Sequence, residues 1–193
     1  MKIGILGGTF NPVHIGHLIL AEEAREKLKL DKVIFVVTNL APHKDNSDVV
    51  PASHRYQMIK LAVASNRYFA VSDVEIKRRG LSYTIDTLKE FKRIYAQEEL
   101  YFIIGSDLLK YLEEWKDLDE ILRMVKVVVA TRPTYPLEKI PAHISTLPIR
   151  AVDVSGFEVR QAIREGRSFH YLVPEPVLRY ILRHRLYAAL SKK

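Results

Sequence analysis

Short runs rich in β-branched and aromatic residues alternate with segments whose apolar side chains recur at helical spacing. This alternation constrains the fold more than any other feature of the chain. The runs are "KIGILG" (2 to 7), "KVIFVVT" (32 to 38), "FAVSDVEI" (69 to 76), "LYFIIGS" (100 to 106) and "KVVVATR" (126 to 132), each read as a strand. Most are almost continuously apolar, the pattern of a strand covered on both faces. Between the first two, Leu18, Ala21, Ala24 and Leu28 lie three, three and four residues apart and give a helix one apolar stripe. Ile85, Leu88, Phe91 and Tyr95 repeat that pattern between the third and fourth runs. The alternation predicts an α/β fold, a largely parallel sheet with helices on both faces. "ISTLPIR" (144 to 150) is a candidate sixth strand, and helices are predicted from Ser155 to Glu165, ended by Gly166, and from Pro176 to about Arg185.

Two proline-bearing connections, 39 to 53 and 132 to 143, are too long for ordinary loops, and long loops beyond strand ends are where such sheets bind ligands. At 193 residues and 48% hydrophobic, the chain fits one domain, 1 to 193, with 155 to 193 a C-terminal helical subregion. No stretch approaches the ~18 apolar residues of a membrane span, and "KIGILGG" is too short for a signal peptide's apolar segment, so a cytoplasmic protein is expected. The absence of cysteine excludes disulfides, thiolate nucleophiles and zinc-cysteine sites. Thirty Lys and Arg against 23 Asp and Glu leave a net charge of +7, which suits an anionic partner without naming it. Basic residues are not interleaved with aromatics along one element, as a nucleic-acid binder would more often show.

The stretch "GGTFNPVHIGH" (7 to 17) carries the strongest chemical signal. A glycine-rich turn after strand one of an open parallel sheet lies at the carboxyl edge, where backbone N–H groups can approach a phosphate. Gly4, Gly7 and Gly8 do not make the G-x-G-x-x-G of dinucleotide binders, and no P-loop motif occurs, so ordinary dehydrogenases and P-loop enzymes are disfavoured. His14 and His17 are three apart, so a helix starting near Gly16 puts both imidazoles at its positive end. There they can hold phosphate oxygens as charge grows on a leaving group. Metal ligation is the competing reading and needs a third ligand that the spacing does not supply.

This element, with "APHK" (41 to 44), "RRGLSYTIDTL" (78 to 88), "GSDLLKYLEEW" (105 to 115) and "VPEPVLRYI" (173 to 181), closely resembles the T/HxGH nucleotidyltransferase superfamily. Within it the chain is similar, almost end to end, to the bacterial nicotinate mononucleotide adenylyltransferases. The resemblance implies a Rossmann-like, doubly wound parallel sheet with a small C-terminal helical part. It also implies transfer of AMP from ATP to nicotinate mononucleotide with release of pyrophosphate, Mg2+ arriving with ATP rather than on protein side chains, and a possible homo-oligomer.

By position, the resemblance places Gly8, Thr9, Phe10, His14 and His17 around ATP, and gives Lys44 a phosphate contact. Arg55 is read as structural ahead of that same task. Tyr83 and Thr84 fall at the family's nicotinate site, with Thr84 at or near a helix N-cap, and Trp115 matches the residue that stacks on the pyridine ring. Lys116 stands where an aromatic residue or histidine is expected. Gly105 is assigned to close backbone approach and Asp107 to ribose hydroxyls. In "VSGFEVRQAIREG" (154 to 166) Ser155 and Arg160 are kept for phosphate binding, but Gly156 and Phe157 replace hydroxyl residues. The alternatives are another small nucleotidyltransferase, such as a phosphopantetheine adenylyltransferase or a cytidylyltransferase, and a nucleic-acid-binding module related to class I tRNA synthetases.

Overall fold

A computed structural model describes residues 1–42, 46–131, 141, 143–150 and 152–188, with the side chains of Asp107 and Lys110 excluded. Its strands are β1 (Lys2–Gly8), β2 (Lys32–Val37), β3 (Phe69–Ser72), β4 (Glu99–Gly105), β5 (Lys126–Thr131) and β6 (Ser145–Pro148). The helices are α1 (Ile15–Leu28), α2 (Ala52–Val63), α3 (Val74–Arg78), α4 (Thr84–Ile94), α5 (Leu118–Met124), α6 (Gly156–Arg164) and α7 (Glu175–Arg183), and a 3₁₀ helix spans Ser106–Glu114. All neighbouring strands are parallel, in the order β3-β2-β1-β4-β5-β6. The chain winds outward from β1 through β2 to β3, then returns to β4 on the other side of β1. That reversal opens a crevice beyond the carboxyl ends of β1 and β4, where such sheets bind ligands.

Period-two alternation along the strands explains the apolar runs. Leu6, Val33, Phe35, Ile103 and Val128 face one buried cluster with residues of α1, α2, α6 and α7. Ile5, Ile34, Val36, Phe102 and Val127 face the other with residues of α4 and α5. Both faces are covered, so strands of this sheet read as continuous hydrophobic runs.

The third predicted strand is shorter than its sequence suggests. β3 ends at Ser72, whose Oγ accepts the Val74 N–H at 3.3 Å, and α3 follows in place of the strand expected to Ile76. The side-chain acceptor supplies a turn that the apolar pattern does not reveal. Helix α2 carries no equally clear sequence stripe; Met58, Ile59 and Val63 bury its inner face. Of the second long connection, 132–140 and 142 lie outside the described residues.

Candidate active site

A cleft of about 270 Å³ lies beyond the carboxyl ends of β1, β2 and β4. Gly8 and Thr9 line it from the turn after β1, and Thr38, Ala41 and Pro42 from the connection after β2. Ser82, Tyr83 and Thr84 enter at the start of α4, and Leu108, Tyr111, Glu114, Trp115 and Lys116 close the far wall. Six residues singled out from the sequence therefore meet here: Gly8, Thr9, Tyr83, Thr84, Trp115 and Lys116. His14, His17, Ser155 and Arg160 form a second group where the N-terminal ends of α1 and α6 converge on the turn after β1.

The turn is built around Phe10, held at φ 48° with its ring only 3% exposed. A Cβ on Gly8 would come within 3.0–3.2 Å of that ring, tighter than ordinary contact, so the glycine lets the ring pack this close to the strand end. The ring meets His17 edge-on at 4.9 Å and Phe35 at 5.8 Å. Its position is therefore the floor beneath the histidines rather than a surface facing the cleft, which leaves backbone as what this residue can offer a nucleotide.

His14 is the N-cap of α1 and is 4% exposed; its ring centroid lies 3.7 Å from that of His17. The His14 N–H donates to His17 Nδ1 at 3.2 Å. An Nδ1 that accepts leaves the neutral ring's proton on Nε2, so His17 is set to donate from that nitrogen. The two imidazoles and the first-turn amides together make a donor-rich, electropositive helix end.

Arg55, 1% exposed, organises the loops around this end. Its Nη1 donates to the carbonyl oxygens of Thr9 (2.7 Å) and Thr38 (2.6 Å), Nη2 to Asn39 (3.1 Å) and Nε to Val50 (2.9 Å). Burial pulls its pKa down to about 10, still charged at neutrality. The guanidinium is spent on carbonyls from three segments, the structural role expected ahead of phosphate contact. Asn11 extends the network: its Nδ2 donates to Asp48 O at 2.9 Å and its Oδ1 accepts from Val50 N at 3.3 Å. Neither interaction has a sequence signature, because the partners lie 37 and 39 residues away.

At the head of α6, Ser155 is a capping residue. Its Oγ accepts the Glu158 N–H at 3.2 Å and donates to Glu158 Oε2 at 3.0 Å, while its own N–H donates to the same carboxylate oxygen at 2.8 Å. The hydroxyl expected to act on phosphate is thus held in a capping box, with a carboxylate at the helix's anion-accepting end. Arg160 donates from Nη1 to Asn11 O at 2.7 Å and pairs through Nε with Asp48 at 3.0 Å; Arg164 also pairs with Asp48. A Cβ on Gly156 would stand 2.9 Å from Asn11 O. The missing hydroxyl residue at this position therefore has a steric reason: α6 packs directly on the turn after β1. Phe157 is 61% exposed.

At the other end of the cleft, Tyr83 rather than Thr84 is the N-cap of α4 and makes no side-chain cap; Thr84 is the first helical residue. Asn39 N–H donates to Ser82 Oγ at 3.1 Å and Ser82 N–H to Leu40 O at 2.9 Å, which ties this helix start to the connection after β2. Trp115 ends the 3₁₀ helix, its ring edge-on to Phe102 of β4 at 5.8 Å, and is partly exposed beside the cleft. Gly105 is the 3₁₀ helix N-cap, in ordinary extended backbone at φ −77°. Lys44 and the side chain of Asp107 lie outside the described residues.

The cytidylyltransferase-like family model matches residues 5–162. A probable nicotinate-nucleotide adenylyltransferase from Thermus thermophilus is 44% identical over 97% of this chain and 100% of the relative. One from a Thermoanaerobacter species is 42% identical over 97% of this chain and 94% of the relative. Among solved structures, nicotinic acid mononucleotide adenylyltransferase from Plasmodium falciparum, complexed with NaAD, superposes with a TM-score of 0.80 at 18% identity, covering 96% of this chain and 97% of that one. That likeness establishes the Rossmann-like α/β fold. With a family model matched along most of its length and relatives similar from end to end, the chain belongs to the cytidylyltransferase-like nucleotidyltransferases, among the nicotinate-nucleotide adenylyltransferases.

Proposed function

We propose that this chain transfers AMP from ATP to nicotinate mononucleotide, giving nicotinate adenine dinucleotide and pyrophosphate. The observation that carries the reading is a carboxyl-edge cleft whose lining turn, Gly8 and Thr9, runs on into the head of α1 with its helix-terminal amides and paired imidazoles. Away from that turn the cleft is a slot walled by Tyr83 and Trp115.

In the proposed mechanism a phosphate oxygen of the mononucleotide forms a bond to the α-phosphorus of ATP as the bond from that phosphorus to the bridging oxygen breaks. The nucleophile needs no general base: a phosphate monoester has a second pKa of ~6 and is mostly dianionic near neutrality. The protein's task is to align two polyanions and offset charge on the departing pyrophosphate. The amides around Gly8 and Thr9 bind phosphate, His14 and His17 donate to the leaving group, and Arg160 exchanges Asp48 for a phosphate oxygen. Phe10 supports His17 from below. Ser155 orients the first turn of α6, Lys44 keeps the phosphate contact toward the mononucleotide implied by family position, and Gly105 and Asp107 keep their ATP-side roles. Tyr83, Thr84, Trp115 and Lys116 bind the pyridine mononucleotide, the ring on Trp115 and its carboxylate at the first amides of α4.

Among the described residues no group of three or more histidine and acidic side chains converges to hold a metal. The site's donors are amides, imidazoles and guanidinium, which suit phosphate rather than a cation. Mg2+, expected to arrive with ATP from the family likeness, would neutralise charge on the leaving group. Helices α6 and α7 share a buried cluster with α1 and α2, which supports treating residues 1–193 as one catalytic unit.

The test is direct: incubation with ATP, Mg2+ and nicotinate mononucleotide, with the dinucleotide and pyrophosphate both quantified. Equimolar appearance of the two is expected. No dinucleotide, or turnover of phosphopantetheine or a CTP-dependent acceptor instead, would replace this reading with another nucleotidyl transfer.

A further inference from the structure

We infer that the Lys116 ammonium selects the pyridine mononucleotide bearing a carboxylate over the one bearing a carboxamide, and does so through charge. The inference rests on the reaction proposed above and deepens it to the level of one side chain. Among the described residues lining the cleft, Lys116 is the one cation and Glu114 the one carboxylate, both exposed. Lys116 Nζ lies 5.0 Å from the centroid of the Tyr83 ring, within cation–π range, and makes no ion pair among the described residues. The aromatic face holds the ammonium beside Tyr83, the N-cap of α4.

The chemistry of the two substrates makes that charge discriminating. A pyridine joined to ribose through its ring nitrogen is cationic. In the nicotinate form the carboxylate balances the ring; in the nicotinamide form the positive charge stands alone. Stacking on Trp115 is nearly the same for both rings, and backbone N–H groups donate to a carboxylate oxygen and to an amide carbonyl oxygen alike. A nearby ammonium attracts the carboxylate and repels the unbalanced pyridinium, so both effects favour the acid. Glu114, in the same cleft, acts in the opposite sense and reduces the size of the preference, while the ammonium is the charge held against the Tyr83 ring.

The experiment measures kcat/KM for nicotinate and nicotinamide mononucleotides, with saturating ATP and Mg2+, in the wild type, Lys116→Met and Lys116→Arg. Wild type is expected to prefer nicotinate. Lys116→Met should lower the nicotinate-to-nicotinamide ratio by about tenfold, as loss of one partly screened charge contact implies, and Lys116→Arg should keep it within about threefold. Raising the salt concentration should shrink the preference in wild type and leave Lys116→Met almost unaffected. An unchanged ratio in Lys116→Met overturns the inference, as does an equal loss on both substrates, which would place Lys116 on the phosphate they share. A wild type that turns over nicotinamide as well as nicotinate overturns it too. Turnover of neither by the wild type removes the proposed reaction itself, a result seen before any variant is made.

Discussion

At the scale of single residues, the site separates groups that face the cleft from groups that hold the loops in place. His17, at the head of α1 beside the cleft-lining turn, is set up as a donor: Nδ1 is occupied by the His14 N–H, so Nε2 carries the proton it can donate. If that proton serves mainly the departing pyrophosphate, its loss is felt in the transition state more than in the ground state. His17→Ala should lower kcat by roughly 10²–10³ while the Kd for ATP changes little, the size seen when one charge-stabilising donor is removed. Steady-state kinetics beside calorimetric ATP titration separate the two, and near-wild-type turnover would remove His17 from the reaction. Arg55 is of the second kind. No motif reveals it, because an arginine ten or more residues beyond a predicted strand looks like any solvated one until the loops close over it. Its four carbonyl partners exist only in the folded chain.

At the scale of elements, the junction between α6 and the turn after β1 is the most exacting contact. The sequence marks Gly156 as a lost hydroxyl donor; packing makes it a spacer, since a Cβ there meets a backbone oxygen at 2.9 Å. A backbone atom cannot rotate away as a side chain can. Gly156→Ser should therefore cost about 1–3 kcal/mol of stability, the range for overpacking at a tight contact. It should also raise KM for ATP, because α6 must withdraw and carry Arg160 from Asn11. Denaturant unfolding with ATP-dependent kinetics tests both, and a variant as stable as wild type with a lower KM would restore the lost-donor reading. β3 is shorter than its sequence predicts for a local reason: Val74 and Ile76 extend the β-branched run past Ser72, but the Ser72 hydroxyl accepts the Val74 N–H and the chain turns into α3.

At the scale of the whole molecule, one ion-pair cluster links α1 to the β6 edge of the sheet. Glu23 on α1 receives Lys27 at 2.8 Å and Arg150, which follows β6. Hydrogen bonds from Lys27 and then Arg150 hold its carboxyl below the ordinary glutamate value. The unfolded chain thus binds the proton more tightly, so the contribution is complete above the unfolded pKa of ~4.3 and fades as pH falls through the lower folded value. Melting temperature followed from pH 7 to pH 3 should drop less steeply on its acid limb in Glu23→Gln than in wild type; parallel limbs would dismiss the link. Features that depend on neighbours a few residues apart are legible in the chain alone. They include strand and helix periodicity, hence a two-faced parallel sheet, and the short motifs that mark its carboxyl edge. Which of those residues share a surface was decided only by tertiary structure: the winding reversal at β1 and β4 brings residues 8, 84 and 115 to one cleft. It also turns Phe10 inward, gives Arg55 its carbonyls and sets Gly156 against Asn11, because hydrogen bonds and steric contacts between distant segments leave no local pattern to read.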